Sequence, residues 1–431
     1  MEYTLEKVFT ACGGNPAEAP LGGASWDEAM ASFPHNGLQF LNESVWKTAR
    51  EQVGLSAELD ERLRRVAAQI AADPVLSRLL WYVYRYYTYP VETVKTAFKG
   101  CPLPVQLGEE DKHLFYLFCA LSFVPAVWKY HKGNGIPEEI TTNTLRKFKE
   151  HIDTMNKSET GHVGMTSEHL WVLSLYMHIP LFRLGRLEFW LEHTKFKYYV
   201  WRRESDKLTV AFPEPGTIVT QEGYPRSTAD DQNAPIWTSQ YEVTATEVTG
   251  TPYHPNGFLY PKSITLPRSE FKLIFQPKDV AATMHIPLGG GLTPQKARES
   301  IEAAKPFFDT YFPEMRVKII QCHSWVFGNH LEKVLPPDAN LLDLQRNVYL
   351  MAYPSGHYDG LCFIFPRFTA QNVDWDMMPQ DTSLQRRVVS HFKNGGTWRQ
   401  GSMFFVPEDI AEYGTHPYLR RWQNADLFTN K

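Results

Sequence analysis

The hydrophobic pattern of this chain changes near residue 160, and this change constrains the fold more than any other feature. Before it, apolar residues such as Leu59, Leu63 and Ile70 recur at helical spacing, so they would share one face of a helix. After it, short aromatic and β-branched runs alternate with turn residues, which is typical of strands. The sequence therefore predicts an α+β protein, with a helical domain at 1–160 and a mixed α/β sheet domain at 161–431.

Capping residues and apolar runs define the predicted helices of the first domain. Asp73 followed by Pro74 predicts a helix start, because aspartate caps the first amides and proline fits the first turn. The helix predicted at 111–131 is apolar on nearly all sides, so we expect it at the centre of the domain. Its most apolar run contains Pro125 and is shorter than the roughly 20 residues that span a bilayer. Residues 141–155 form a more polar, amphipathic surface helix.

Strand and turn signals in the second domain predict several elements. A hairpin is expected at 197–210, and short strands are expected near 241–248 and 271–275. Residues 213–235 combine Pro, Gly, Ser, Thr and Asp without periodicity, which indicates a long loop or a partly mobile insertion. A second hairpin is predicted to pair 348–353 with 361–365.

The composition excludes several classes of protein. Lys and Arg total 44 against 48 Asp and Glu, a net charge of −4, so nucleic acid is a poor candidate partner. The five cysteines are widely spaced without a CxxC pair, which predicts neither a disulfide framework nor a cysteine-rich zinc site. Residues 1–10 lack the pattern of a secretory signal. These features favour the reducing cytoplasm and no membrane span; the oligomeric state stays open.

A glycine-rich turn separates a strand predicted at 281–286 from a helix predicted at 293–312. Glycines let backbone amides approach a ligand closely, and the first turn of a helix carries unpaired amide donors. Together they suit a phosphate or pyrophosphate group. The alternative is an ordinary turn before a capped helix. The candidate cofactor-binding residues are Gly289, Gly290, Gly291, Leu292 and Thr293.

The next predicted strand, at 317–327, carries residues that suit proton transfer or nucleophilic attack. Alternation along a strand places Cys322 and Ser324 on one face and His323 on the other, so a Ser–His pair of immediate neighbours is not expected. His323 would suit a general base, and the alternative is a core strand with one polar face. His285, at the end of the preceding strand, adds a second imidazole, but no metal-type spacing accompanies it.

Two arginines flank a glycine where the helical and sheet regions meet. Arg183 and Arg186, on either side of Gly185, suit bidentate contact with a phosphate or pairing with carboxylates. The residues alone leave both alternatives open.

Several ordered segments, taken together, resemble one protein family. The chain is similar to bacterial proteins that combine an N-acyltransferase N-terminal domain with a GNAT-like C-terminal domain. The segments that carry the resemblance are GHVG at 161–164, LFRLGRLEF at 181–189, VTGTP at 248–252, PNG at 255–257, HIP at 285–287 and CHSW at 322–325, followed by DAN at 338–340 and Gln345.

The resemblance implies a helical domain joined to a GNAT-like sheet, and acyl transfer from acyl-CoA or acetyl-CoA to an amine. In GNAT folds the pantetheine arm lies along a splayed strand, and the pyrophosphate rests on the turn before the next helix. The resemblance makes His323 and His285 candidates for the proton path, and Ser324 or Tyr353 candidates for protonating the leaving thiolate.

The turn from Gly289 to Thr293 departs from the usual GNAT pattern, (Gln/Arg)-x-x-Gly-x-(Gly/Ala). That departure motivates a second hypothesis, a non-catalytic ligand-binding or regulatory protein that retains the fold. A third hypothesis is a hydrolase with Cys322 or Ser324 as its nucleophile.

Overall fold

Two compact units make up the chain. Contacts group Met1–Leu184 with Pro287–Gly289, and Gly185–Ile286 with Gly290–Lys431. The sequence placed the domain boundary at residue 160, and the first unit continues to Leu184. A computed structural model describes residues 3–19, 25–89, 98, 100–156, 161–228, 230, 232–289, 291–365, 368–425 and 427.

The first unit is helical and ends in one short strand. Its elements are α1 (Leu5–Ala11), α2 (Trp26–Ala31), α3 (Glu43–Val53), α4 (Asp60–Ala72), α5 (Pro74–Thr88), α6 (Gly108–Asp111), α7 (Leu114–Gly133), α8 (Glu138–Met155), α9 (Leu170–Leu175) and β1 (Leu181–Leu184).

Helix α7 lies at the centre of the first unit, as its apolar sequence predicts. Most of its side chains are buried, and α3, α8 and α9 pack against it. The predicted start of α5 is also present, since the Asp73 carboxylate accepts the amide of Val75 at 2.7 Å and Pro74 opens the helix. Among the described residues, no helix has the length and apolar character that a membrane crossing requires.

The second unit contains most of the strands. Its strands are β2 (Leu187–His193), β3 (Tyr198–Arg203), β4 (Thr209–Pro213), β5 (Ile218–Thr220), β6 (Ile236–Thr238), β7 (Tyr241–Val243), β8 (Glu247–Gly250), β9 (Tyr253–His254), β10 (Phe258–Leu259), β11 (Ile264–Pro267), β12 (Phe271–Phe275), β13 (Val280–His285), β14 (Ile319–Ser324), β15 (Tyr349–Ala352) and β16 (Gly401–Phe405). Its helices are α10 (Pro294–Tyr311), α11 (Leu331–Val334), α12 (Asn340–Arg346), α13 (Ser383–Lys393) and α14 (Pro417–Asn424).

The main sheet of this unit has the order β2-β13-β14-β16-β15. Strands β13 and β14 are parallel, and the other neighbours in this order are antiparallel. Helix α10 connects the parallel pair, because parallel strands need a long crossover. A second sheet has the order β10-β9-β4-β3-β12, and smaller sheets contain β11-β8-β7 and β5-β6. The α+β class predicted from the sequence is confirmed.

The predicted pairing of 348–353 with 361–365 is wrong. Strand β15 pairs with β16 instead, and Leu361–Phe363 forms a short 3-10 helix after Gly360, whose φ is +87°. Leu361 and Phe365 are both buried in a cluster with Val388 of α13. The apolar run therefore has the composition of a strand. It instead forms a helical turn, which places Leu361 and Phe365 in the same buried cluster as Val388 of α13.

The segment predicted as a loop or insertion at 213–235 is partly ordered by pairing. Ile218–Thr220 forms β5, which pairs with β6, and the Asp230 carboxylate forms an ion pair with Arg399. The strand signals near 241–248 correspond to β7 and β8, which form a hairpin, and those near 271–275 correspond to β12. Short strands of three or four residues carry too little periodicity to be recognised in a sequence.

A buried ion pair connects β3 with the chain that follows β16. The Arg202 guanidinium donates to both carboxylate oxygens of Asp409, at 2.6 and 2.9 Å, and the Asp409 side chain is fully buried. Arg421 of α14 also donates to this carboxylate at 3.1 Å. The two guanidinium groups hold the pKa of Asp409 below its usual value despite its burial.

We predict that Asp409→Asn lowers the free energy of unfolding by about 3–5 kcal/mol, because it leaves buried guanidinium charge without a counterion. Urea denaturation measures this change. Asp376→Asn is the matched control, since that exposed carboxylate pairs with Lys393 and its loss should cost less than about 1 kcal/mol. Equal effects of the two substitutions would contradict the prediction.

Candidate active site

The two parallel strands of the main sheet separate at their carboxyl ends. Pairing between β13 and β14 extends as far as Thr283 and Gln321 and stops there. Strand β13 nevertheless continues to His285, paired with β2, and β14 continues to Ser324, paired with β16. Paired strands lie about 4.8 Å apart, so the loss of pairing marks a gap. The inner edges of the two strands therefore do not pair with each other beyond this point.

A buried polar network closes the base of this gap. The Gln321 side-chain amide is fully buried and donates to Thr283 at 3.0 Å and to Glu192 at 3.3 Å. Its carbonyl oxygen accepts from Tyr198 at 3.0 Å and from Thr194 at 3.2 Å. The amide is thus fully hydrogen-bonded, which makes its burial favourable and fixes the last paired position of the two strands.

The two candidate imidazoles lie on the same face of the sheet, beyond the last pair. Side chains alternate along a strand, so His285 and His323 share the face of Thr283 and Gln321. His285 Nδ1 lies 2.8 Å from Glu188 Oε2, and Glu188 is directly opposite on β2. The Glu188 side chain is 2% exposed and that of His285 45%. A buried carboxylate therefore orients a half-exposed imidazole at the edge of the gap.

The imidazole of His323 packs among aromatic side chains. Both of its ring nitrogens are buried, and neither has a hydrogen-bond partner among the described residues. Ser402, opposite it on β16, also has a buried hydroxyl without a partner in the part of the chain that the structure describes. The rings of Phe196 and Tyr353 pack against His323. Burial lowers the pKa of His323 to about 3, so its imidazole is neutral at physiological pH.

The two candidate proton donors for the thiolate are placed differently. The Tyr353 ring centroid lies 4.9 Å from that of His323, and burial and the nearby Asp359 carboxylate raise the pKa of the Tyr353 hydroxyl. Ser324 lies on the opposite face and accepts an amide at 3.3 Å in the turn that follows β14. Tyr353 therefore contacts His323, whereas Ser324 lies on the other face of the strand.

Cys322 shares the face of Ser324, as the alternation of the strand predicts. Its thiol is buried, with 3% of the residue exposed, and burial raises its pKa. Because the thiolate is the nucleophilic form, this environment does not favour the hydrolase hypothesis for Cys322.

The glycines of the predicted cofactor turn adopt backbone conformations that favour glycine. Gly289 has φ +82° and Gly291 has φ +52°. A Cβ atom added at either position would meet no atom within 4 Å, so these residues are required by conformation and the space around them is open. Gly290 lies outside the described residues.

The rest of the turn begins helix α10 as predicted. The Thr293 hydroxyl accepts the amide of Lys296 at 3.3 Å, and Pro294 occupies the first helical position. Leu292 is buried, with 8% of its surface exposed. Thr293 therefore caps the helix, and Leu292 anchors the turn by packing.

The two arginines that flank Gly185 have different environments. Arg183 is buried and donates to the Glu150 carboxylate at 2.6 Å, which is a structural pairing. The Arg186 guanidinium donates to the carbonyl of Gly291 at 3.3 Å, and the Arg186 amide donates to the Ser300 hydroxyl at 2.9 Å. Arg186 therefore lies beside the turn that begins α10, in reach of an anion bound there.

Sequence reasoning missed two residues of this face, Glu188 and Ser402. Glu188 could have been found, because it is an acidic residue within the apolar run LEFWL at 187–191, and buried carboxylates need a partner. Ser402 gives no such signal. Its place beside His323 depends on the pairing of β14 with β16, which joins residues far apart in the sequence.

The buried ring nitrogens of His323 predict a loss of stability in acid. Its pKa is about 3 in the native state, against an ordinary value of 6.5, so between these values only the unfolded chain binds the proton. Stability therefore falls as the pH decreases from about 6.5 toward about 3. We predict that His323→Leu weakens this dependence, measured by urea unfolding between pH 7 and pH 4. An unchanged dependence would show that the imidazole is not buried.

Comparison with known proteins agrees with this architecture. The GNAT-like C-terminal domain family matches residues 181–405, more than half of the chain, and the N-acyltransferase N-terminal domain family matches residues 47–177. No curated protein sequence matches the chain.

Solved structures of acyltransferases share the fold. One, in complex with decanoyl-CoA and teicoplanin, is 23% identical with a TM-score of 0.51, covering 84% of this chain and 99% of the other. Another, in complex with CoA and 10C-teicoplanin, is 23% identical with a TM-score of 0.50 and the same coverage. The two family matches, together with the parted strands and the helix that follows β13, establish that the chain belongs to the proteins with an N-acyltransferase N-terminal domain and a GNAT-like C-terminal domain.

Proposed function

We propose that this protein transfers an acyl group from an acyl-CoA, such as acetyl-CoA or a longer thioester, to an amine acceptor. The observation that carries the proposal is the gap between β13 and β14, which opens directly before the turn that begins α10. The facing edges of β13 and β14 suit the amide-bearing arm of coenzyme A. The first turn of α10, which follows β13 in the chain, suits its pyrophosphate.

The described residues fit such a cosubstrate. An arm that carries amides can lie between the two strand edges, which do not pair with each other beyond Thr283 and Gln321, as an added strand pairs with an open sheet edge. The first amides of α10 and the open space at Gly291 suit the pyrophosphate, because helix starts favour anions. Arg186 adds a cation beside the same turn.

The site needs no covalent intermediate. Holding the amine and the thioester in contact removes much of the entropic barrier of a bimolecular reaction. The amine nitrogen attacks the thioester carbonyl, a C–N bond forms and the C–S bond breaks. The amine gives up one proton to a base, for which His285 and His323 are the candidates. Coenzyme A leaves as the thiol after it gains a proton, for which Tyr353 is the better placed donor.

The family and the similar structures support this class of reaction and indicate which substrates to test. The similar structures contain decanoyl-CoA and CoA, so both short and long acyl chains belong in a screen of this chain. One of these structures also contains teicoplanin, which therefore belongs among the first acceptors to test with this chain.

Thermal unfolding with millimolar acetyl-CoA, decanoyl-CoA, free coenzyme A and ATP tests donor binding. A ligand that binds only the native state stabilises it by about 2.7 kcal/mol at 100 times its Kd. We expect stabilisation by the coenzyme A species and not by ATP. Release of free thiol from acyl-CoA in the presence of an amine then separates an enzyme from the alternative, a non-catalytic protein that retains the fold. Binding without release would favour that alternative.

A matched pair of glycine substitutions tests the location of the donor site. Gly291 has φ +52° and Gly395, after α13, has φ +74°, and neither would place a Cβ within 4 Å of another atom. Valine at either position should cost about 1–2 kcal/mol from backbone strain. We predict that only Gly291→Val abolishes the stabilisation by acyl-CoA. An equal loss in Gly395→Val, or none in Gly291→Val, would place the donor elsewhere.

A further inference from the structure

We infer that Glu188 is a positioning residue that holds the His285 imidazole ready to accept the proton of the attacking amine. This inference rests on the proposed acyl transfer and adds to it an identified base and the group that orients that base. Glu188 would act through His285 and would not itself touch the substrate.

Strand pairing brings the two residues together. Glu188 on β2 and His285 on β13 are directly opposite each other in an antiparallel pair, so their side chains leave the same face. His285 is the last residue of β13, beyond the point where β13 parts from β14. The carboxylate is therefore fixed by the sheet, while the imidazole stands at the edge of the gap.

The contact determines which nitrogen is free to act. With Glu188 ionised, its carboxylate only accepts hydrogen bonds, so we infer that the 2.8 Å contact between His285 Nδ1 and Glu188 places a proton on Nδ1. The lone pair is then left on Nε2. The same carboxylate stabilises the imidazolium that forms when Nε2 takes a second proton, which is how acidic residues support histidine bases elsewhere.

Exposure separates His285 from the other candidate base. The side chain of His285 is 45% exposed, so its outer edge can meet an incoming amine. Both nitrogens of His323 are buried, and burial holds its pKa near 3, so His323 is a poor proton acceptor. A neutral His323, with Ser402, is better suited to lining the pocket.

The proton balance of the step is closed. The amine nitrogen bonds to the carbonyl carbon as it loses one proton to His285 Nε2. The C–S bond breaks, and the sulfur of coenzyme A takes one proton. Tyr353 supplies that proton and recovers one from the His285 imidazolium through solvent, so both residues return to their neutral forms, and the products are the amide and free thiol.

The experiment compares wild type, Glu188→Gln, His285→Ala and the double variant in steady-state acyl transfer to one fixed amine. We expect Glu188→Gln to lower kcat about 10- to 100-fold, with KM for acyl-CoA changed less than about 2-fold. His285→Ala should lower kcat about 100-fold or more. In the His285→Ala background, Glu188→Gln should have no further effect, because a positioning residue acts only through its partner.

Two controls keep the result interpretable. His193→Ala removes an exposed imidazole at the other end of the same strand pair and should leave kcat unchanged. Glu188→Asp retains the negative charge on a shorter side chain, and its kcat should lie between those of wild type and Glu188→Gln. If Glu188→Gln folds poorly, a lowered kcat in Glu188→Asp still tests the role of Glu188. The ¹⁵N spectrum of histidine-labelled wild type should show the Nδ1–H form of His285, independently of activity.

The outcomes separate the two proposals. A wild-type protein that binds acyl-CoA but releases no thiol with any amine would overturn the proposed function. Thiol release by wild type with an unchanged kcat in Glu188→Gln would overturn the role of Glu188. So would a further loss of kcat on adding Glu188→Gln to His285→Ala, or an Nε2–H form of His285, since each contradicts action through a fixed imidazole.

Discussion

The separation of β13 from β14 after Thr283 and Gln321 is the constraint on which the rest of the candidate site depends. Beyond this point β13 still pairs with β2, and β14 still pairs with β16, but β13 and β14 no longer pair with each other. Their facing edges therefore border a gap. The buried amide of Gln321 marks this position: one of its hydrogen bonds joins it to Thr283 on β13, and the other three are made with Glu192, Tyr198 and Thr194. Without these hydrogen bonds, nothing would fix the residue at which the two strands part, and buried polar groups would be left without partners.

The chemistry of the site follows from the position of the gap. Beyond the last pair, the alternation of both strands presents His285 and His323 on one face. The environments of the two imidazoles differ: a buried carboxylate orients His285, whereas His323 packs against Phe196 and Tyr353, opposite Ser402 on β16. Groups of the same type that are placed in different environments can take different roles. The helix that follows β13 begins at Pro294, nine residues after the last residue of β13.

The sequence predicted those parts of the structure that depend on local signals. The helical unit, the cap at Asp73, the hairpin of β3 and β4, and the start of α10 at Thr293 each follow from neighbouring residues. The parts that it could not predict depend on distant pairing. Nothing near Ser402 indicates that β16 lies beside β14, and the apolar run at 361–365 has the composition of a strand although it packs as a helical turn against α13.

The most direct measurement is a crystal structure of the protein with a non-hydrolysable thioether analogue of an acyl-CoA. We expect the pantetheine arm to lie between β13 and β14, with its amides bonded to backbone groups beyond Thr283 and Gln321, and its pyrophosphate at the first turn of α10. The carbonyl of the analogue should lie on the face that carries His285 and His323. An analogue whose pantetheine arm binds outside this gap would contradict the assignment of the gap as the acyl-CoA site.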